Sequence, residues 1–192
     1  MALNKFESGG RLAPMALPSK LFRFKIELSD MEKSVYESLD LRVAQHPSES
    51  LPFLLTRVFA YALSYEPELV FSSEGLADPD APCLSVPNPQ GGVKVWIEIG
   101  NPSARKVHKA SKAALQLKIF TYKDPQALLA ELATVDIHRK QDIEIYSISP
   151  KFLDKLALQM KKDNRWTLMY TDGTLMVNSD EITEQTELVR HQ

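Results

Sequence analysis

The chain has 192 residues, 44% hydrophobic and 25% charged, which excludes a disordered or collagen-like chain and suits one domain with a sizeable core. Lys plus Arg number 23 against 25 Asp plus Glu, a net charge of -2, so no global positive field draws the protein to nucleic acid; such binding needs a local patch. A single Cys83 excludes an internal disulfide and a thiolate zinc site and points to a reducing, cytoplasmic setting, and no run of 18 apolar residues offers a transmembrane helix.

Residues 1–14 read as a flexible N-terminal extension: they carry Gly9-Gly10 and a proline, and they lack a hydrophobic period or the apolar core of a secretory signal. Met15-Ala16-Leu17 repeats the opening Met1-Ala2-Leu3, and residues 15–192 are left as one domain. From Leu21 to Leu28, Phe22, Phe24, Ile26 and Leu28 alternate with Arg23, Lys25 and Glu27, the period of a half-buried strand. Val35 to Val43 repeats the pattern, and the polar run 29–34 joins the two. His46-Pro47-Ser48-Glu49 opens a helix, with Ser48 as N-cap, Glu49 and Pro52 in its first turn, and an apolar face from Leu51 to Leu63. Four prolines and Gly91-Gly92 mark 75–92 as irregular or edge chain.

Val93–Ile99 is a predicted strand, with Val93, Val95, Ile97 and Ile99 inward and Lys94, Trp96 and Glu98 outward. Pro102–Ala114 is a helix capped by Asn101, Leu117–Thr121 a strand, Pro125–Ala133 a helix and Ile143–Ile148 a strand. Ser149-Pro150 caps a helix to about Met160. Trp166–Tyr170 and Leu175–Val177 flank Asp172-Gly173 as a hairpin. From Glu49 to Tyr122 the order is helix, short strand, strand, strand, helix, strand, an α/β domain with a mixed sheet.

Asp80 and Glu98 lie on either side of the Gly91-Gly92 turn, which can bring both carboxylates to one rim of the sheet. Two carboxylates on a rim suit Mg²⁺ or Mn²⁺, hard cations that take oxygen ligands and retain water. The competing reading makes Glu98 a solvated position on an alternating strand. Residues 102–118 hold Arg105, Lys106, Lys109, Lys112 and Lys118 and no acid. Arg105, Lys109 and Lys112 share one helix face opposite Val107, Ala110 and Ala114, so they form either a phosphate-binding stripe or a solvated face. Glu49 shares a helix face with Phe53 and Arg57 at four-residue spacing, as a third acid or as part of the cap. The four histidines lack ligand spacing, and no GxSxG, GxGxxG or P-loop motif is present.

His46–Glu49 with Arg57, GLADPDAP at 75–82 and WIEIGNPSARKVHKA at 96–110 together resemble the bacterial YaeQ family, from about Met15 to the C-terminal hairpin. That resemblance implies the fold of the PD-(D/E)xK nuclease superfamily, a restriction-endonuclease-like mixed sheet flanked by helices. It assigns Asp80 and Glu98 to the superfamily's metal-binding acids and Glu49 to a supporting metal position. The lysine two residues after the second acid is replaced by Gly100, and the resemblance implies Lys109 or Arg105 as the migrated basic group.

Two functions follow as expectations. One is a Mg²⁺- or Mn²⁺-dependent phosphodiesterase on DNA or RNA: Asp80 and Glu98 on the ion, Lys109 on the transition state, Arg105 and Lys112 on the backbone, Arg57 in support. The other is a catalytically inactive nuclease-fold protein that binds nucleic acid or a protein through the basic helix.

Overall fold

Period-two alternation builds the first hairpin. β1 (Lys20–Asp30) and β2 (Val35–Gln45) pair antiparallel, with Phe24 opposite Leu41 and Ile26 opposite Leu39, so the apolar set of both strands lines one face. A computed structural model describes residues 20–72 and 78–192; the extension read at 1–14 lies outside the described residues.

The chain continues through α1 (Leu51–Leu63), β3 (Val70–Phe71), β4 (Leu84–Pro87), β5 (Val93–Ile99), α2 (Ala104–Ala113) and β6 (Ala114–Thr121). This is the order of helix, short strand, two strands, helix and strand expected between Glu49 and Tyr122. It ends with α3 (Pro125–Ala133), β7 (Glu144–Ile148), α4 (Pro150–Gln159), β8 (Asp163–Thr171), β9 (Thr174–Asn178) and β10 (Thr183–Arg190). The strands form one mixed sheet in the order β2-β1-β8-β9-β10-β7-β6-β5-β4-β3. β5, β6 and β7 run parallel, as do β1 and β8, and the other pairs are antiparallel.

Two helix starts differ from the sequence reading. Ser50, not Ser48, caps α1 by accepting the Phe53 N–H at 3.3 Å, while Ser48 bonds His46 Nδ1 at 2.7 Å. Glu49 therefore precedes the helix instead of sharing a face with Arg57. Ser103, not Asn101, caps α2. Asn101 instead ties two loops together: it accepts from Thr121 Oγ1 at 2.6 Å and donates to the Asp124 carbonyl at 2.9 Å.

α1 and α4 pack on one face of the sheet in a core drawn from both ends of the strand order. Phe59 of α1 meets Phe152 of α4 at 5.6 Å and Trp166 of β8 at 6.1 Å, and Trp166 meets Phe24 of β1 edge-on at 5.1 Å. α2 and α3 cover the opposite face of β5–β7 through Val107, Ala110, Leu128 and Leu132. β5 is thus sandwiched on both faces, as a parallel strand joined to its neighbour by a crossover helix must be. Lys118, grouped by sequence with the basic helix, belongs to β6.

Candidate functional site

Covering β5 on both sides reverses the expected exposure of Glu98. The residue is 2% exposed and Trp96 5% exposed, both beneath α2, so Glu98 is no solvated strand position. A buried carboxylate needs partners. Trp96 Nε1 donates to Oε1 at 2.6 Å, Lys106 Nζ reaches Oε2 at 2.9 Å, and the Cys83 thiol donates to Oε2 at 3.6 Å. Burial still holds the Glu98 carboxyl above its ordinary range, against the opposing pull of Lys106 and the hydrogen bonds. The same burial, with Glu98 adding to it, pushes the Cys83 thiol up to about 12.

Asp80 lies at the surface, where Lys109 Nζ pairs with Oδ2 at 3.1 Å. Lys109 holds its carboxyl below the usual range, with Arg105 and Lys106 adding to the effect. Lys106 and Lys109 are one turn apart on α2 and occupy one side of it. Each of the two acids singled out by sequence is paired with its own lysine of α2, and Lys106 acts electrostatically on both. Arg105 and Lys112 are exposed on the same helix.

Lys106 is the residue that sequence reasoning placed only in a charge count. It borders the buried stripe of Ala104, Val107 and Ala110, and a lysine at such an edge lays its stem along the apolar surface while its head seeks a charge. Gly100, two residues after Glu98, has φ +81° and donates its N–H to the Phe120 carbonyl at 2.8 Å, and the chain leaves the extended strand there.

Glu49 is engaged elsewhere. Its Oε1 accepts from Arg57 Nε at 2.7 Å, and Oε2 accepts from Arg57 Nη2 at 2.8 Å and from the His46 N–H at 3.0 Å. Arg57 also donates to the Ala44 carbonyl at 2.9 Å, so the pair staples the end of β2 to α1. Burial keeps Glu49 above its ordinary range even with Arg57 against it. No group of three or more His, Cys, Asp or Glu able to hold a metal gathers among the described residues. Asp80 and Glu98 are each paired with a lysine ammonium, Lys109 and Lys106 respectively.

The family model described as "YaeQ protein" matches residues 15–188. The chain belongs to the YaeQ family. It is 26% identical over 171 residues to "Uncharacterized protein YaeQ" of Escherichia coli (strain K12), covering 86% of this chain and 92% of that one. It is 25% identical over 150 residues to the protein of the same description in Salmonella typhi, covering 73% and 82%. Among solved structures, the YaeQ protein from Pseudomonas syringae aligns with TM-score 0.81 and 27% identity over 91% of this chain and 96% of its own. The YaeQ protein from Xanthomonas axonopodis pv. citri shares the fold at TM-score 0.84 and 23% identity, over 91% and 98%. No helix among the described residues is long and apolar enough to cross a membrane.

Proposed function

We propose that this YaeQ protein is a divalent-cation-dependent phosphodiesterase on nucleic acid, built on a variant of the restriction-endonuclease-like PD-(D/E)xK fold in which the motif lysine has moved from strand to helix. The observation that carries the reading is the Glu98–Lys106 pair at 2.9 Å, one helical turn from the Asp80–Lys109 pair. Asp80 and Glu98 are the residues that would hold Mg²⁺ or Mn²⁺. Such an ion, when bound, supplies a Lewis acid for a phosphoryl oxygen and acidifies a coordinated water. Lys106, not Lys109, takes the role of motif lysine, because it already sits on the second acid. Lys109, Arg105 and Lys112 hold the phosphate backbone, and the buried Trp96 fixes the carboxylate rotamer by occupying Oε1.

The second reading, an inactive fold that binds nucleic acid through α2, draws on a specific observation: both carboxylates are neutralised within the protein by lysines. One experiment separates the two. Mn²⁺ should raise the melting temperature of the wild type, by about 2.7 kcal/mol of stabilisation at one hundred times its dissociation constant. Glu98→Gln should abolish that shift. Lys106→Met should keep or enlarge it, since a competing ammonium is removed, while eliminating Mn²⁺-dependent cleavage of plasmid DNA or single-stranded RNA. A metal shift without cleavage, together with salt-sensitive binding lost in Arg105→Gln/Lys112→Gln, selects the second reading. No shift, no cleavage and no binding overturns both.

A further inference from the structure

Lys118 faces away from the site just described. Register pairs it with Ile97 and pairs Ile119 with Glu98, so Lys118 shares the α1 face of the sheet while Glu98 shares the α2 face. On that α1 face lies a cavity of about 520 Å³, within the roughly 300–1,000 Å³ span of small-molecule sites. Its wall is assembled from the β1–β2 turn, the end of α1, β6, β7, the β8–β9 turn and β10, where the two halves of the sheet meet.

Charge distinguishes this cavity from a packing defect. Lys33, Lys118 and Arg190 line it, against Glu32 and Glu144. Both acids have other partners: Glu32 accepts the Gly173 N–H at 2.9 Å, and Glu144 accepts the Tyr146 hydroxyl. Lys33 is directed to the Leu63 carbonyl, with Asp30 at 3.5 Å. Arg190 lies over the Tyr146 ring at 5.9 Å, and that ring is stacked on Phe120 at 5.0 Å, so the guanidinium is fixed at the cavity wall. Lys118 is the unusual member. Its side chain is 15% exposed, and its ion-pair partner, Glu144 Oε1, is 3.9 Å away, beyond hydrogen-bond reach. Among the described residues its ammonium donates no hydrogen bond. Burial pushes this ammonium below lysine's ordinary range; Lys33 and Arg190 add to the effect, and Glu144 and Glu66 do not cancel it.

A largely buried ammonium whose donors meet only the solvent of the cavity loses part of its hydration, a cost to the fold. An anion seated against it removes that cost and satisfies its donors. Leu63, Phe120 and Leu188 supply apolar wall beside the cations, which suits an organic group attached to the anion. We propose that this cavity binds a small organic phosphate, with its phosphate between Lys118 and Arg190 and its apolar part against Leu63 and Leu188. The three cations outnumber the two carboxylates of the lining by one, a net positive charge that favours an anion over a neutral ligand. This site is separate from the Glu98 site by a whole sheet layer, so its ligand need not be a substrate of the proposed hydrolysis.

Calorimetric titration and thermal melting of the full chain test it, with phenyl phosphate and inorganic phosphate as probes and benzyl alcohol as the uncharged control. Phenyl phosphate should bind and raise the melting temperature, inorganic phosphate should bind more weakly, and benzyl alcohol should do neither. Lys118→Met should weaken phenyl phosphate by roughly thirtyfold or more, as loss of one partner of a buried charge pair does, and Arg190→Gln, at an exposed position, should weaken it by less. Without ligand, Lys118→Met should melt at or above the wild-type temperature, because a desolvated charge has been removed. Glu98→Gln should bind the probe like wild type. The proposal is overturned if neither phosphate binds wild type, or if Lys118→Met binds equally well. It also fails if Lys118→Met melts well below wild type, since the fold's own contacts would then account for the lysine.

Discussion

Glu49 and Glu98 are both buried carboxylates, yet their partners differ in kind. Glu49 is gripped through both oxygens by Arg57, whose planar fork matches a carboxylate and whose Nη2 also donates to a backbone carbonyl. Glu98 is met by the single point charge of Lys106 on a flexible stem, one that can swing away when another cation or a phosphate arrives. The first arrangement serves structure, and under the proposed function the second serves exchange. Arg57→Met should therefore leave a buried, unpaired Glu49 and destabilise the protein by about 3–5 kcal/mol. Arg57→Met/Glu49→Gln should recover part of that loss, as measured by urea unfolding. A single-mutant loss below about 1 kcal/mol would show that the staple contributes little.

At the scale of elements, strands and helices with a strong apolar period were legible in the sequence, and so was the Asp172-Gly173 turn. Asp172 at φ +48° and Gly173 at φ +73° have the two positive dihedrals that a two-residue hairpin demands. β10 was not legible. Its sequence, TEQTELVR, buries only Leu188, because backbone pairing rather than side-chain burial holds it in the sheet. The two N-caps were misplaced by two residues each because the segments HPSES and NPS offer competing capping side chains. Asp80 and Glu98 were legible as candidates from their residue types, whereas the inward turn of Glu98 was not. Alternation in VKVWIEI marks one buried face, and only the parallel pairing with β6 shows that α2 buries the other. Gly100 ends that strand, which gives a test. Gly100→Lys places the lysine of the proposed motif at a position with φ +81°, where a new Cβ meets Lys123 Cε at an ordinary 3.9 Å but the backbone is strained for an L residue. It should cost about 1–2 kcal/mol in stability and should not replace Lys106 in cleavage by a Lys106→Met/Gly100→Lys protein. Recovery of cleavage in that double variant would return the motif lysine to the strand.

The whole molecule is joined through β10. Thr183–Glu187 pair with β9 and Leu188–Arg190 pair with β7, so one strand connects the β1–β2–β8–β9 half of the sheet to the β3–β7 half. α1 and α4 reinforce the connection, because their shared core takes Phe24, Leu168 and Leu175 from one half and Ile97, Phe120 and Ile148 from the other. Neither half encloses its own core on that face, which argues for one cooperative unfolding transition. The two halves carry independent reporters. Cys83, buried beside β4 with its thiol pushed up to about 12, stays unreactive to alkylation at neutral pH until its half opens. The amides of the parallel β1–β8 ladder report on the other half through hydrogen exchange. Under denaturant, Cys83 labelling and β1–β8 exchange should give the same opening free energy. Leu188→Ala, at the point where β10 changes partners, should lower both equally by about 2–4 kcal/mol. If the substitution loosens only the β5–β7 side and leaves β1–β8 protection unchanged, the halves fold as separate units and β10 is a tether rather than a shared strand.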